Sequence, residues 1–160
     1  TADLSPATGH AVTGRVLALA NTSGKVAGSA FTVIGCDVLI NGEVVATTGA
    51  DGVFTIPSLA AGTYTATLSY AYGYDRDIQI TVADTDVDLG TYGMVVCNFK
   101  KDAAINGTDF NVYKRCTGKS KSDSTYNSAC DFNHDGAVNG TDYNIYKAFS
   151  GKMLSAEIYN

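Results

Sequence analysis

The chain has 160 residues, of which 45% are hydrophobic and 17% are charged, with 17 glycines, two prolines and no tryptophan. This composition is typical of folded globular protein and excludes a disordered tail, and the length allows one domain or two small ones. The formal net charge of −5 argues against nucleic acid as a partner, and no run approaches the ~18 apolar residues of a membrane-spanning helix.

The N-terminal part of the chain has an all-β pattern. Residues 1–10 have the composition of a linker remnant, and residues 11–94 contain strand-like runs separated by turn signals about every ten residues. Asn41-Gly42 is a strong hairpin signal. Strands are expected over residues 11–19, 31–40, 43–48, 53–56, 63–70, 76–82 and 87–92. This spacing predicts a β-sandwich.

The C-terminal part of the chain contains an internal repeat. Residues 97–114 align without a gap on residues 130–147, and the extended repeats cover 97–119 and 130–152. Each copy reads as a loop followed by a helix, with helices expected over 105–117 and 139–150. A duplicated unit of this kind predicts two helices that pack around a pseudo-two-fold axis and bury each other's apolar faces.

The second copy has the spacing of an EF-hand-like calcium loop. Oxygen-bearing side chains stand at loop positions one, three, five and twelve, and Gly136 stands at position six, where the chain must turn sharply. Calcium is a hard cation that takes six to eight oxygen ligands, so a loop of this kind suits it. The expected ligands are the side chains of Asp131, Asn133, Asp135 and Asp142, the backbone carbonyl of Ala137, and Asn139 either directly or through water.

The first copy departs from this pattern. The corresponding positions hold Asn98, Lys100, Asp102 and Asp109, with Ala103 in place of the glycine. An ammonium group where a ligand oxygen belongs predicts weak calcium binding or none, so we expect one calcium ion for the whole chain. As a hypothesis, the Lys100 ammonium replaces the ion and pairs with Asp102 and Asp109.

Residues 95–160 resemble a dockerin, the module that joins proteins to cellulosomes and related bacterial complexes. The resemblance lies in the two repeats, in loops that end in aspartate, and in the run Asn-Gly-Thr-Asp before each helix. It implies a small α-helical module with paired EF-hand-like calcium loops. It also implies a secreted, extracellular chain, monomeric before binding, whose partner is a cohesin on a scaffoldin or a cell-surface anchoring protein.

The residues that would contact a cohesin are also implied by the dockerin resemblance. They stand just before the last loop position and along the following helix. In the second repeat they are Gly140, Thr141, Lys147, Ala148 and Lys152, and in the first repeat Gly107, Thr108, Lys114, Arg115 and Lys119. An ordinary solvated basic helix surface explains the lysines equally well. Because the two sets are alike, the partner could dock in two orientations related by the pseudo-two-fold axis.

Residues 11–94 resemble the Ig-like or transthyretin-like sandwiches of carboxypeptidase-regulatory-like domains. The resemblance rests on Gly14-Arg15-Val16, Asp51-Gly52-Val53-Phe54 and Ala61-Gly62-Thr63-Tyr64. Domains of this kind stand before dockerins in some cellulosomal proteins and are then called X modules. The resemblance implies a spacer or a stabiliser of the neighbouring dockerin, not a catalyst.

The sequence offers little for catalysis. The two histidines are His10, in the expected linker, and His134, at a loop position expected to face solvent, so no catalytic set can be assembled. Acidic residues of the sandwich read as a solvated edge: Asp75, Asp77, Asp84, Asp86 and Asp88. The chain is therefore expected not to be an enzyme. A calcium-binding surface or adhesion protein remains the alternative to a tether.

Four cysteines in a chain expected to be secreted suggest disulfides. If the two helices pack antiparallel, the end of the first lies near the start of the second loop. That packing would bring Cys116 towards Cys130, and we expect this pair to form. The pairing of Cys36 and Cys97 stays open, and Cys36 could be a buried thiol. No signal peptide is visible, so the sequence is that of a mature chain or, as we expect, a fragment of a longer protein.

Overall fold

The computed structural model describes residues 9–18 and 31–151. In this part of the chain, strands precede helices. The strands are β1 (His10–Ala18), β2 (Asp37–Ile40), β3 (Glu43–Thr47), β4 (Val53–Leu59), β5 (Gly62–Ser69), β6 (Arg76–Val82) and β7 (Val87–Met94). The helices are α1 (Gly107–Cys116), a short 3-10 helix (Ser128–Cys130) and α2 (Gly140–Phe149). None of these described helices is long and apolar enough to cross a membrane.

The strands form two sheets that confirm the predicted sandwich. One sheet has the order β4-β1-β7, with β1 antiparallel to β4 and parallel to β7, and the other has the antiparallel order β3-β2-β5-β6. Alternate side chains of the strands point into the space between the sheets. The fully buried members of this core include Val12, Val16, Val38, Phe54, Leu68 and Ile80.

The hairpin between β2 and β3 forms where the sequence predicts it. Asn41 and Gly42 both have positive φ, 53° and 79°, which is the backbone of a type I′ turn. Only glycine and a few polar residues adopt this conformation at low cost, so these two residues fix the register in which Ile40 pairs with Glu43.

Several of the predicted strand boundaries were wrong, and β4 and β7, for example, end at Leu59 and Met94 instead of at residues 56 and 92. The first strand begins at His10, one residue inside the expected linker. The run 31–40 was predicted as one strand, but only Asp37–Ile40 forms β2. Thr32 makes an isolated bridge with Leu17, and Gly35 then takes a φ of 77°, which breaks the extended backbone before β2 begins.

The two repeats fold alike, although their helices are shorter than predicted. Each helix begins after an asparagine cap whose side chain accepts a hydrogen bond from the backbone N–H two residues on. The aspartate at the third helical position closes a capping box by accepting from the backbone N–H of the cap. The same six-residue pattern, Asn-Gly-Thr-Asp followed by an aromatic residue and a second asparagine, therefore starts both helices.

The end of each helix meets the loop of the other repeat. Gly118 N donates to Val138 O at 2.8 Å, and Gly151 N donates to Ile105 O at the same distance. This exchange confirms the pseudo-two-fold relation. The predicted disulfide joins Cys116 to Cys130, with their Cα atoms 6.3 Å apart.

The sandwich packs directly on the repeats through the turn between β5 and β6. Asn98 N donates to Tyr72 O at 2.8 Å, and the ring of Tyr72 lies 5.6 Å from that of Phe99. A Cβ atom on Gly73 would lie 2.7 Å from Val95 O, so this close approach requires glycine. The two domains therefore share a packed, hydrogen-bonded boundary.

Candidate metal centre and helix surface

Three carboxylates of the second loop converge. One oxygen from each of Asp131, Asp135 and Asp142 lies within 4.8 Å of the others. Asp131 and Asp142 are 1% and 0% exposed. Burying like charges so close together is costly unless a cation compensates for them. The donor set is all oxygen, as calcium prefers, so these residues fit the expected ion.

Backbone donors hold two of these carboxylates in place. Asp142 accepts from Phe132 N at 2.7 Å and from Asn139 N at 2.9 Å, and Asp131 accepts from Gly136 N at 2.8 Å. Gly136 has a φ of 92°, which a residue with a Cβ adopts only at a cost. The predicted glycine at loop position six therefore makes the turn that brings Asp131 and Asp142 together.

Electrostatics at Asp142 also favour a cation. Burial raises the pKa of this carboxyl group and the nearby Asp131 carboxylate raises it further, while backbone N–H donors oppose the shift. A divalent cation between the carboxylates would favour their charged forms and so reverse the main effect.

The other expected ligands lie around the same loop. Asn133 Nδ2 donates to Asp135 Oδ2 at 3.1 Å, so this amide is beside the carboxylates. The side chain of Asn139 caps α2 by accepting from Thr141 N at 2.9 Å, and this engagement favours a role through water over direct ligation. Asn133 and Asn139 therefore remain predicted ligands.

The backbone around Ala137, a predicted ligand, pairs with the segment that precedes the second loop. Ala137 forms a bridge with Ser120, and the flanking hydrogen bonds use the carbonyls of Gly136 and Val138. Carbonyls alternate in direction along an extended segment. The carbonyl of Ala137 is therefore directed away from this pairing.

The first loop closes without a cluster of this kind. Asn98, 1% exposed, donates from Nδ2 to Asp102 O at 2.8 Å and accepts from Asp102 N at 3.2 Å. Asp109 accepts from Lys100 N at 3.0 Å and from Asn106 N at 2.9 Å. The backbone donors to Asp109 match those to Asp142, so the first loop differs at its start, where the neutral Asn98 amide bonded to Asp102 O replaces the carboxylate of Asp131.

The hypothesis that the Lys100 ammonium replaces the ion was wrong. Within residues 9–18 and 31–151, Lys100 is exposed and its ammonium forms no ion pair with Asp102 or Asp109. The lysine that makes contacts is the next residue, Lys101. Lys101 Nζ donates to Tyr70 O and Gly73 O, each at 2.6 Å, and to Asp75 Oδ1 at 2.9 Å. This lysine joins the first loop to the sandwich.

The second loop reaches the sandwich from the equivalent position. His134 was expected to face solvent; it is exposed, but its Nε2 lies 2.9 Å from Thr32 O. Lys101 and His134 both stand at loop position four, and both have positive φ, 53° and 58°. Their alignment in the repeat, with a basic residue in each copy, was the sequence signal for this boundary.

Eight of the ten predicted partner-binding residues lie on α1 and α2. Lys119 and Ala148 are partly buried, and Lys152 lies outside the described residues. The exposed members are Gly107, Thr108, Lys114, Arg115, Gly140, Thr141 and Lys147. Two lysines are positioned alike, because Lys114 Nζ lies 6.0 Å from the ring centre of Phe110 and Lys147 Nζ lies 5.4 Å from that of Tyr143.

Four of the five acidic residues that were predicted to form a solvated edge accept hydrogen bonds in the structure: Asp75, Asp77, Asp86 and Asp88. Asp77 accepts from Thr67 Oγ1, Asp86 from Ala11 N and Asp88 from Gly90 N, at 2.7 to 2.9 Å.

The two remaining cysteines, Cys36 and Cys97, are buried free thiols, and burial raises the pKa of both. They are therefore protonated and weakly nucleophilic.

The fold and the loops together define a two-domain protein, a β-sandwich followed by paired EF-hand-like loop-helix repeats. Residues 99–149 match the family model of the dockerin type I domain. No curated protein matches the chain by sequence.

Two solved structures resemble nearly the whole chain. Both are mutants of the type II cohesin–X-dockerin complex from Acetivibrio cellulolyticus, one mutated at the C-terminal and one at the N-terminal interface. Each is 28% identical and the match covers 91% of this chain and 97% of that chain, with TM-scores of 0.64 and 0.62. These matches confirm the resemblance to an X module followed by a dockerin.

Proposed function

We propose that this chain is a non-catalytic, calcium-dependent tether that binds a cohesin through the helix surface of its dockerin. The observation that carries the proposal is the cluster of the buried Asp131 and Asp142 with the exposed Asp135, formed by the second loop and the first turn of α2. The match of residues 99–149 to a dockerin domain and the likeness to chains of cohesin complexes support it. The parent protein would then be joined to a bacterial extracellular complex as a monomer that binds one cohesin.

The role of calcium is to make the helix surface available. Without the ion, the three carboxylates repel one another. One of them, Asp142, also belongs to the capping box of α2, so this repulsion acts on the start of the helix. With the ion, loop and helix fold together, so binding energy becomes folding energy. We therefore propose one calcium ion, held in the second loop.

The sandwich is proposed to stabilise the first repeat. Lys101 and Asn98 connect the first loop to the turn of residues 70–75. That loop lacks the acidic ligand set of the second, and its support comes from the neighbouring domain.

The test is binding of the purified chain to a panel of type I and type II cohesins, with calcium and again with chelator. Both types belong in the panel because the family model is of type I and the similar structures contain type II. Capture by one cohesin class that is lost in chelator supports the tether. A folded, calcium-loaded chain that binds none of the panel contradicts it and favours a surface or adhesion protein.

A further inference from the structure

The segment between the two repeats covers the second loop. Lys121 N donates to Gly136 O at 2.9 Å, and the disulfide fixes Cys130, the residue just before the first ligand position. Asn127 caps the short 3-10 helix by accepting from Ala129 N at 3.0 Å. This connecting segment, residues 120–129, is therefore held against the loop by hydrogen bonds.

Within this segment, one side chain touches a carboxylate of the candidate metal centre. The Tyr126 hydroxyl donates to Asp131 Oδ2, the same oxygen that accepts from Gly136 N. Asp131 Oδ1 receives a longer bond, 3.2 Å, from Asp135 N. Two donors on one oxygen and one weak donor on the other fix the orientation of the carboxylate and leave Oδ1 the less engaged atom.

The first repeat lacks this arrangement. Its first loop position holds the neutral Asn98, and the chain just before that repeat is strand β7 of the sandwich and not a connecting segment. The phenol donor therefore occurs beside the loop whose first position carries a charge.

We propose that Tyr126 is a positioning residue for the calcium ion of the second loop. Its hydroxyl holds the Asp131 carboxylate in the orientation that the ion requires. The carboxylate therefore loses less conformational freedom when the ion binds. Groups that orient metal ligands from the outer shell typically change metal affinity by about 10- to 100-fold when they are removed. This inference rests on the proposed calcium site.

The experiment is a calorimetric calcium titration of the full chain and of Tyr126→Phe, which keeps the ring and removes the hydroxyl. The matched control is Tyr64→Phe, because the Tyr64 hydroxyl also makes one hydrogen bond, 2.7 Å to Ala60 O, but in the sandwich. We expect the calcium Kd of Tyr126→Phe to rise about 10-fold or more, and that of the control to stay at the original value.

A second measurement separates positioning from packing. The thermal midpoint of each variant is recorded in chelator and in saturating calcium. Positioning predicts that Tyr126→Phe loses part of the stabilisation that calcium gives, whereas a packing role would lower both midpoints alike and leave Kd unchanged. A Kd within about threefold of the original overturns the proposal.

Cohesin capture is measured on the same samples and separates this inference from the proposed function. If the original chain binds calcium but no cohesin, the tether is wrong while the Kd ratio still tests Tyr126. If capture by Tyr126→Phe recovers at high calcium, the effect passes through the ion, as proposed. If the original chain binds no calcium, both proposals fail.

Discussion

Tyr113 and Tyr146, equivalent residues of the two repeats, stack at 5.3 Å with their rings 17° apart. Each hydroxyl donates to the backbone carbonyl of the cap of the other helix: Tyr113 to Asn139 O at 3.2 Å and Tyr146 to Asn106 O at 3.4 Å. The same pair thus packs the two helices together and fixes where each begins relative to the other. The pseudo-two-fold axis passes between these rings.

Removing either hydroxyl should loosen the helix pair. Tyr113→Phe and Tyr146→Phe each remove the phenol donor of one cap carbonyl, which keeps its helical hydrogen bond from Tyr143 N or Phe110 N. We expect each variant to lower the free energy of unfolding by about 1 kcal/mol. Calcium-saturated thermal unfolding measures this. The control is Tyr143→Phe, since the Tyr143 hydroxyl has no hydrogen-bond partner among the described residues; an equal loss in that variant would contradict the assignment.

The calcium stoichiometry should be one. Asp142→Asn removes a buried charge from the second loop, and we expect calcium affinity to fall at least tenfold. Asp109→Asn is the matched change in the first repeat and should leave the calcium Kd unchanged, although it weakens the capping box of α1. Calorimetric titration checks both variants. A stoichiometry near two for the original chain would show that the first loop also binds.

Lys101 should matter more than its neighbour Lys100. Lys101→Met removes the donor shared by Tyr70 O, Gly73 O and Asp75. Because the side chain is 40% exposed, solvent screens part of the interaction, and we expect a loss of about 1 kcal/mol. Lys100→Met, at an exposed position, should change stability by less than about 0.5 kcal/mol.

Hydrogen exchange locates the effect of the Lys101 change. Faster exchange should appear in residues 98–106 and in the turn of residues 70–75, where loop and sandwich meet. Slow exchange in both segments of Lys101→Met would contradict the proposed support of the first repeat by the sandwich.

Reduction of the disulfide should destabilise the two loop-helix repeats. Cys116 and Cys130 are separated by 14 residues in sequence. A disulfide that closes a loop of this length reduces the conformational entropy of the unfolded chain, and this stabilises the folded state by about 3 kcal/mol. Thermal unfolding with and without reductant measures the change. The double variant Cys116→Ala, Cys130→Ala should be insensitive to reductant; if it responds equally, the effect arises elsewhere.

Partner binding should tolerate loss of one helix face. If either repeat can present its surface, Lys114→Glu or Lys147→Glu alone will change the cohesin Kd by less than about threefold, whereas the double change will weaken binding strongly. Charge reversal should act mainly on the association rate and its salt dependence. A large loss from one single variant would rule out two equivalent orientations.

The features that depend on local pattern could be predicted from the sequence. The repeat, the Asn41-Gly42 hairpin, the second-loop carboxylates and the Cys116–Cys130 pair all follow from spacing within one segment or between aligned segments. Contacts between the domains could not be predicted in this way. The alignment of Lys101 with His134 marks this position in both repeats, but the contacts that Lys101 makes depend on where Tyr70 O and Gly73 O lie in the folded sandwich.

The error over the run 31–40 has the same physical origin. Its apolar residues have strand propensity, but Val33 N pairs with Val16 O across the sandwich, and Gly35 then turns the backbone. Tertiary pairing decided the start of β2, not propensity. Tyr126 likewise lies in a polar segment without periodicity, and only the folded chain brings its hydroxyl to Asp131.

The disulfide has a further consequence when the chain is stretched, as a tether between large bodies would be. The segment between Cys116 and Cys130 is bypassed covalently, so it adds nothing to the length of the unravelled chain. At about 3.4 Å per residue, the 14-residue separation withholds about 45 Å of extension. A pulling experiment on the oxidised chain should therefore show a contour length shorter by this amount than the same experiment after reduction.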